Sequence, residues 1–178
     1  RSDHERDERG PYRRSVGDLQ ARVHGALNGN QTADGDGQRE IFDHNSSFGT
    51  EAQLRSMIAA FKAKGTGVIA DVVINHRNNL GVGGSWVDYP AETYGGKTYQ
   101  MTATDICAND DGGQTAAWAT KQGLSLSPNA DTGDDWSGCR DIDHKRENVR
   151  ATYKDYLRFL LSDLGYTGFR YDMVKGYA

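Results

Sequence analysis

The residues of this chain best suited to chemistry are an arginine and an aspartate near its carboxyl end. Within residues 167–176, Arg170 and Asp172 alternate with Phe169 and Tyr171, so a strand here would place the two charged side chains on one face. A guanidinium beside a carboxylate favours its ionised form. An ionised carboxylate at the end of a buried strand is what a glycosidase nucleophile requires. An ordinary ion pair that closes a strand is the alternative interpretation.

A second apolar run, residues 68–74, also ends in polar side chains. Its β-branched residues are typical of parallel strands covered on both faces. Asn75 offers a neutral oxygen to a hard cation, and His76 offers a donor to a substrate hydroxyl, although a histidine in this position is often purely structural. Enzymes with parallel β/α architecture build their sites at the carboxyl ends of strands. We therefore expect the two runs to end at the same edge of a sheet.

Together the two runs resemble the first and second sequence signatures of the α-amylase family of glycoside hydrolases. The matching segments are DVVINH at residues 71–76 and GFRYDMVKG at residues 168–176. Between them, residues 129–144 are similar to the stretch that closes the calcium-binding insertion of that family. Gly176, where many relatives have His, is similar to plant-type and related bacterial α-amylases. The resemblance begins near residue 42 and covers the rest of the chain.

The resemblance implies a catalytic role for each matched residue. Asp172 would attack the anomeric carbon, and Arg170 would keep that carboxylate ionised and oriented. His76 and Lys175 would bind hydroxyls of the sugars that flank the cleaved bond. Retention of configuration requires a second carboxyl group, which the resemblance places on the next strand, beyond Ala178.

The resemblance also implies a calcium site. Five aspartates lie between residues 131 and 143, a composition that by itself describes a solvated acidic loop. Calcium prefers six to eight oxygen ligands. The implied ligands are the side chains of Asn75, Asp131 and Asp141 and the backbone carbonyls of Asp134 and Gly176, while Asp135 could serve a secondary ion. The few Cys and His residues lack the spacing of a zinc site.

The pattern of elements predicts an α/β fold. Thr50 and Gln53 form a capping box before an apolar stripe, which predicts a helix over residues 50–64. A second helix is predicted over residues 144–164, with His144 at its solvated start. A complete (β/α)8 barrel takes about 250 residues, and this chain has 178. We therefore expect a fragment that forms a partial (β/α)8 TIM barrel.

The expected domain organisation follows from the resemblance and from the turn-rich middle of the chain. Residues 41–76 and 146–178 would form the partial barrel, and residues 77–145 would form a calcium-binding, loop-rich domain inserted between strand 3 and helix 3. Residues 1–40 show no convincing periodicity, and we expect them to be disordered or foreign to the fold. Within the insertion, the sequence predicts short strands over residues 86–89 and 97–101. Its aromatic side chains, which include Trp86 and Trp136, favour a small core over sugar-stacking surfaces.

Composition narrows the possible partners. Charged residues make up 26% of the chain and the formal net charge is −4, and without a basic stripe this argues against nucleic acid. No apolar run approaches the roughly 18 residues of a membrane span, and the charged amino terminus lacks the apolar region of a signal peptide. With two cysteines, free thiols are favoured over a disulfide. The family implies an extracellular or periplasmic location and a monomer at full length.

The resemblance implies endo-hydrolysis of α-1,4-glucosidic bonds in starch and related glucans, with calcium as the cofactor. Two alternatives stay open. A transglycosylase or another α-glucosidase of the same family would use the same residues on a different acceptor. A non-catalytic module that binds calcium or glucan would keep the fold without the reaction.

Overall fold

The computed structural model describes most of the chain from Glu40 onward. The predictions made for residues 1–39, for Trp86 and for Trp136 lie outside the described residues, which are 40–45, 49–78, 87, 89–135 and 137–177.

Helices and short paired strands alternate along the described residues. The helices are α1 (Glu51–Ala63), α2 (Gln114–Lys121) and α3 (Glu147–Phe159), with single 3-10 turns at Ala103–Asp105 and Asp110–Gly113. The strands are β1 (Ile69–Val72), β2 (His76–Arg77), β3 (Glu92–Tyr94), β4 (Lys97–Tyr99), β5 (Arg140–Asp141) and β6 (Gly168–Tyr171). They form three pairs: β1 with β6, β2 with β5, and β3 with β4.

Helix α1 begins at the capping box that the sequence predicts. The hydroxyl of Thr50 accepts from the backbone N–H of Gln53 at 3.2 Å, and the side chain of Gln53 accepts from the N–H of Thr50 at 2.8 Å. These two bonds satisfy donors that the first helical turn leaves without partners. The chain leaves the helix at Gly65, whose φ of 73° suits glycine. The predicted helix is confirmed.

Strands β1 and β6 pair in parallel and continue the ladder at both ends. The register sets Ile69 opposite Gly168 and Val72 opposite Tyr171. We expected both strands to be buried, and this is wrong for part of each: Ile69 is 48% exposed and Tyr171 is 42% exposed. The reason is that, among the described residues, these two strands pair only with each other, so each has an open edge.

Helix α3 precedes β6 and supplies much of the core. It begins at Glu147, three residues later than predicted, because a turn comes first: the N–H of Lys145 donates to the carboxylate of Asp143 at 2.8 Å, and the N–H of Arg146 donates to the Asp143 carbonyl at 3.1 Å. After Phe159 the helix widens into a π-helical turn at Leu160–Leu164. Its buried face consists of Val149, Tyr153, Tyr156, Phe159, Leu160 and Leu164.

Among the described residues, the middle of the chain contains one hairpin. Its strand β4 falls within the predicted residues 97–101, and its partner β3 was not predicted. Of the other predicted strand, over residues 86–89, the N–H of Tyr89 donates to the Met101 carbonyl at 3.2 Å, and residues 86 and 88 lie outside the described residues. The turn explains this pairing: Gly95 and Gly96 have φ values of 57° and 76°, as a two-residue hairpin turn requires. The hairpin partner is therefore the strand immediately before these glycines.

Glu92 of β3 ties the hairpin to two other segments. Its carboxylate accepts from the N–H groups of Ile41 and Phe42 at 2.6 and 2.8 Å. The same carboxylate pairs with the buried guanidinium of Arg77 at 2.5 Å. The ring of Phe42 stacks on Tyr94 with centroids 4.8 Å apart. One buried carboxylate thus joins the segment before α1, the end of β2 and the hairpin.

Two further features are the state of the cysteines and the length of the helices. Cys107 and Cys139 are both buried thiols and form no disulfide with each other. No helix in the described part of the chain has both the length and the apolar character needed to cross a membrane.

His44 gives the fold a dependence on pH. Burial lowers its pKa from 6.5 to about 4, against the opposing effects of the Ile41 carbonyl and Asp43, while Arg55 lowers it further. Its Nε2 lies 3.1 Å from the Ile41 carbonyl, and its buried Nδ1 has no hydrogen-bond partner. Protonation would place a charge with one unsatisfied donor in the core.

We therefore expect the protein to lose stability as the pH falls from about 6.5 towards 4, by about 3 kcal/mol at the lower end. The sign follows because the unfolded chain binds the proton more readily than the folded one. Urea unfolding at a series of pH values measures this loss, and His44→Gln should flatten the curve. Parallel curves for the two proteins would show that His44 is not responsible.

Candidate functional site

The parallel register places two carboxylates on either side of one guanidinium. Asp71 of β1 lies directly opposite Arg170 of β6. One terminal nitrogen of Arg170 lies 2.6 Å from Asp71 Oδ1, and the other lies 3.1 Å from Asp172 Oδ1. Asp71, followed by Asp172, raises the pKa of the Arg170 guanidinium. The arginine is therefore a fixed cation that holds Asp172 at the end of its strand.

Asp172 is also fixed through its backbone. Its N–H donates to the carbonyl of Val72 at 3.0 Å, which extends the ladder by one residue. Its carboxylate accepts from the N–H of Met173 at 3.0 Å, and Met173 has a left-handed φ of 52°. The Asp172 side chain is 38% exposed, which is more open than the buried strand of the prediction. An oriented, solvent-facing carboxylate can act on a ligand that approaches this edge.

The two residues predicted to bind sugar hydroxyls lie in different environments. His76 is 5% exposed, and its Nδ1 lies 3.2 Å from Asn75 Nδ2. Lys175 is 72% exposed, and its ammonium lies 3.2 Å from a carboxylate oxygen of Asp134. The lysine can therefore move towards a ligand at little cost, because an exposed ion pair of this kind is weak. The histidine is held in the interior.

Four of the predicted calcium ligands come together from distant parts of the chain. Asn75 Nδ2 donates to Asp141 Oδ1 at 3.1 Å. A Cβ atom added to Gly176 would lie 2.1 Å from Asn75 Oδ1, and one added to Gly133 would lie 3.1 Å from Asp131 Oδ2 and 3.4 Å from the Cα of Gly176. We call Asn75, Asp131, Asp141 and Gly176 the oxygen cluster.

Two oxygens of this cluster are buried without a partner. Asn75 Oδ1 and Asp131 Oδ2 accept no hydrogen bond, and Asn75 is only 3% exposed. Burial, followed by the nearby carboxylates of Asp131 and Asp110, raises the pKa of Asp141 to about 7. Unsatisfied oxygens and crowded carboxylates are costly unless a cation or a proton neutralises them. The oxygen cluster therefore fits a hard cation.

The donor set is one of oxygens alone. Among the described residues, no group of three or more His, Cys, Asp or Glu side chains is arranged as a metal site. The cluster combines two carboxylates and an amide with the backbone at Gly176. The side chain of Asp134 faces solvent at 81% exposure, and its implied role concerns its carbonyl. Asp135 Oδ2 would lie 3.3 Å from a Cβ atom added to Gly112, in the neighbouring turn.

Sequence reasoning missed several residues that position these groups. The pairing of Asp71 with Arg170 depends on the register between strands, which a single sequence does not reveal. Asn109 and Asp110 contact the oxygen cluster, but in the sequence they lie within a run of ordinary turn residues.

At the start of α3, Lys145 and Arg146 are exposed as expected, but His144 is half-buried. Its Nε2 lies 2.8 Å from the carbonyl of Ile74, and its ring stacks on Tyr153 with centroids 5.5 Å apart. The ring of Tyr177 lies 4.9 Å away on the same histidine. The reason is that the turn before α3 folds back against the end of the apolar run at residues 68–74. His144 therefore supports the strand end that carries Asn75.

Relatives in sequence are α-amylases and similar enzymes, although no protein-family model matches the chain. "Probable alpha-amylase 2" of Arabidopsis thaliana is 28% identical over 79% of this chain and 30% of its own length. "Glucan 1,4-alpha-maltotetraohydrolase" of Stutzerimonas stutzeri is 30% identical over 77% of this chain and 21% of its own length. The chain thus spans less than a third of the length of these relatives.

Solved structures show the same fold at lower identity. The α-amylase from Geobacillus thermoleovorans, complexed with acarbose, aligns with a TM-score of 0.53 and 16% identity, over 88% of this chain and 29% of that one. An α-amylase from Malbranchea cinnamomea also aligns with a TM-score of 0.53, at 17% identity, over 88% of this chain and 32% of that one. The described arrangement of helices and strands is therefore one found in part of larger structures.

The close approach at Gly176 gives a direct test of the oxygen cluster. We expect Gly176→Ala to displace the Asn75 amide and to cost about 1–3 kcal/mol, because the new methyl group has no room. Thermal unfolding in the presence of chelator measures this cost independently of any ion. Gly168→Ala is the matched control, since its Cβ would meet Ile69 at an ordinary 3.6 Å. Equal midpoints for the two variants would contradict the packing at Gly176.

Proposed function

Since these relatives confirm that the chain resembles the α-amylase family of glycoside hydrolases, we propose that it forms part of an enzyme that hydrolyses internal α-1,4-glucosidic bonds in starch and related glucans. The observation that carries this proposal is the fork of Arg170 between Asp71 and Asp172. It holds one solvent-facing carboxylate at the carboxyl end of a parallel strand, where β/α enzymes place their chemistry.

In the proposed reaction, Asp172 attacks the anomeric carbon and forms a glycosyl-enzyme ester, which water then hydrolyses with retention of configuration. Arg170 holds the attacking carboxylate in place. Asp71 is engaged with Arg170 at 2.6 Å, and we assign it the role of orienting the guanidinium. Retention requires a second carboxyl group about 5–5.5 Å from the nucleophile. We assign that acid and base to the next strand of the barrel, outside this chain.

Two residues are proposed to contact the sugars beside the cleaved bond. Lys175 is exposed and pairs with the exposed Asp134, so it can exchange that partner for a sugar hydroxyl. His76 is proposed as a second hydroxyl ligand, and its contact with the Asn75 amide supports a role in holding the cation site as well. A substrate must reach His76 through the cleft of the complete enzyme.

The proposed architecture is a partial (β/α)8 barrel with an inserted domain. Strand β1, helix α3 and strand β6 occur in this order, with the other described elements of the middle of the chain between β1 and α3, and β1 pairs in parallel with β6. A strand, a helix and a parallel strand are the repeating unit of such a barrel. We assign residues 41–76 and 146–178 to the barrel. Residues 77–145 form the insertion between strand 3 and helix 3. The two segments that flank the insertion in sequence carry the two strands that pair.

Calcium is proposed as the ion of the oxygen cluster. The side chains of Asn75, Asp131 and Asp141 would hold it, together with the carbonyls of Asp134 and Gly176. The partnerless oxygens of Asn75 and Asp131 support this assignment. Bound calcium would supply charge neutralisation, and it would fix the acidic loop against the ends of β1 and β6. These residues would thereby hold the turn that follows Asp172.

The proposed partner is starch or another α-glucan, and the proposed location is extracellular or periplasmic. One relative is named "Alpha-amylase 3, chloroplastic", so fractionation of the source cells is the measurement that decides the compartment. We propose that the complete protein is a monomer, which sedimentation can test.

Removal of calcium tests the cation site. We expect a chelator to lower the thermal midpoint of the complete protein, because a ligand that binds only the folded state at about 100 times its Kd contributes about 2.7 kcal/mol. Asp141→Ala should abolish most of that response, since it removes one of the two carboxylates. Differential scanning calorimetry with and without calcium measures both effects. A melting curve that chelator leaves unchanged would refute the site.

Replacement of the proposed nucleophile tests the reaction. In the complete enzyme, Asp172→Asn should lower kcat and kcat/KM together, by about 10³-fold or more, because the attacking charge is lost while the shape remains. Lys175→Ala should cost only about 1–3 kcal/mol, the size of one charge-assisted hydrogen bond. A reducing-sugar assay on starch gives both values. Asp155→Asn, on the side of α3 that contacts Lys97 and Tyr99 of β4, is the control and should retain full turnover.

The same assay separates the alternatives. Near-normal turnover by Asp172→Asn would exclude this strand as the source of the nucleophile. Starch binding without release of reducing sugar would favour a non-catalytic module. Products longer than the starting oligosaccharide, seen by chromatography, would favour a transglycosylase.

A further inference from the structure

One short turn, residues 107–110, lies against both carboxylates of the oxygen cluster. Asn109 Nδ2 donates to Asp131 Oδ1 at 2.9 Å, and the N–H of Asp131 donates to Asn109 Oδ1 at 3.0 Å. These reciprocal bonds fix the backbone and the side chain of Asp131 at once. As a result Asp131 Oδ1 is occupied, and Oδ2 is the oxygen that remains without a partner.

Asp110, the next residue of the turn, holds the backbone of Asp141, whose side chain is the second carboxylate of the cluster. Asp110 Oδ1 accepts from the N–H of Asp141 at 2.8 Å, and the N–H of Cys107 donates to the Asp141 carbonyl at 2.9 Å. Asp110 is itself anchored by a buried ion pair with Arg140 at 2.5 Å and by the hydroxyl of Thr115. Because Asp110 is itself held by these two buried partners, the turn holds the backbone of Asp141 in place.

An independent observation shows that this support points at a ligand site. Asn75 Oδ1 comes from a different segment of the chain, is nearly fully buried and has no hydrogen-bond partner. It belongs to the same cluster, because Asn75 Nδ2 donates to Asp141. The partnerless oxygens of Asn75 and Asp131 both lie near the place where Gly133 approaches Gly176.

We propose that Asn109 is a positioning residue for the cation site, which presets Asp131 so that Oδ2 faces the ion before the ion binds. This inference rests on the proposed calcium function. Residues that hydrogen-bond to metal ligands commonly contribute about 10–100-fold to metal affinity. Preorganisation acts here because an unheld aspartate would lose rotamer freedom on binding the ion.

The chemistry of an amide explains why this position suits Asn. Its NH2 group donates to the Asp131 carboxylate while its carbonyl oxygen accepts from the Asp131 N–H. A carboxylate at residue 109 could accept but not donate, and it would add charge beside Asp131. An alanine would do neither, and it would leave Asp131 free to turn.

Calorimetric titration with calcium chloride, after the protein has been stripped with chelator, tests the proposal. We expect Asn109→Ala to weaken calcium binding about 10–100-fold, while its thermal midpoint in chelator falls no further than that of Asn148→Ala, which also loses two hydrogen bonds. Asn148→Ala is the matched control. Asn148 also donates to an aspartate carboxylate, that of Asp105, at 2.9 Å, but at a different place. Its calcium affinity should be unchanged.

Each other outcome overturns the inference in a distinguishable way. Unchanged affinity in Asn109→Ala, with normal binding by the wild type, refutes the role of Asn109 and leaves the proposed cation site intact. A midpoint in chelator that falls further in Asn109→Ala than in Asn148→Ala, or an equal loss of affinity in Asn148→Ala, shows general loosening and also refutes it. No calcium binding by the wild type refutes the cation site, and this inference with it.

Discussion

The parallel register between β1 and β6 is the constraint on which the rest of the structure depends. It sets Asp71 opposite Arg170, and the bond from the Asp172 N–H to Val72 continues it past the last paired residue. Because parallel strands alternate their side chains in step, a shift of one residue would send Arg170 to the opposite face. The fork of carboxylates around the guanidinium would then not form.

Buried charge, more than apolar volume, organises the middle of the chain. Arg77 and Arg140 are among the largest fully buried side chains, and they pair with Glu92 and Asp110. Such pairs add little net stability compared with an apolar core, but breaking one is costly because a charge is left behind. They therefore specify which segments meet. Glu92 reaches the segment before α1, and Asp110 reaches the backbone of Asp141 beside the oxygen cluster.

Local signals in the sequence predicted local structure well. The long-range arrangement could be predicted only where a family signature indicated it. The capping box at Thr50 and the stop at Gly65 predicted α1 because both act within one turn. Strand β3 was not predicted, although the turn at Gly95 and Gly96 marks the strand that precedes it. Neither Asp71 nor Asn109 could be assigned, because their roles arise from residues far along the chain.

The burial of the strands shows a different limit. The residue types of β1 are those of a strand covered on both sides, yet Ile69 is half exposed. The apolar residue types of β1 indicate the kind of surroundings that suit the strand. The exposure of Ile69 depends instead on which neighbouring residues the structure describes. The resemblance supplied the grouping of Asn75, Asp131, Asp141 and Gly176, and no periodicity in the chain could have supplied it.

The position of Gly176 in the chain has a consequence for synthesis. Its backbone lies against both Gly133 and the amide of Asn75, so the oxygen cluster is completed by the member that is synthesised after the other three. Until then the carboxylates of Asp131 and Asp141 are present without the backbone that closes around them. Contacts between residues so far apart in sequence form late, because their loop-closure entropy must be overcome first. We therefore expect the cluster to be complete only after β6, the strand that leads to Asp172, has paired with β1.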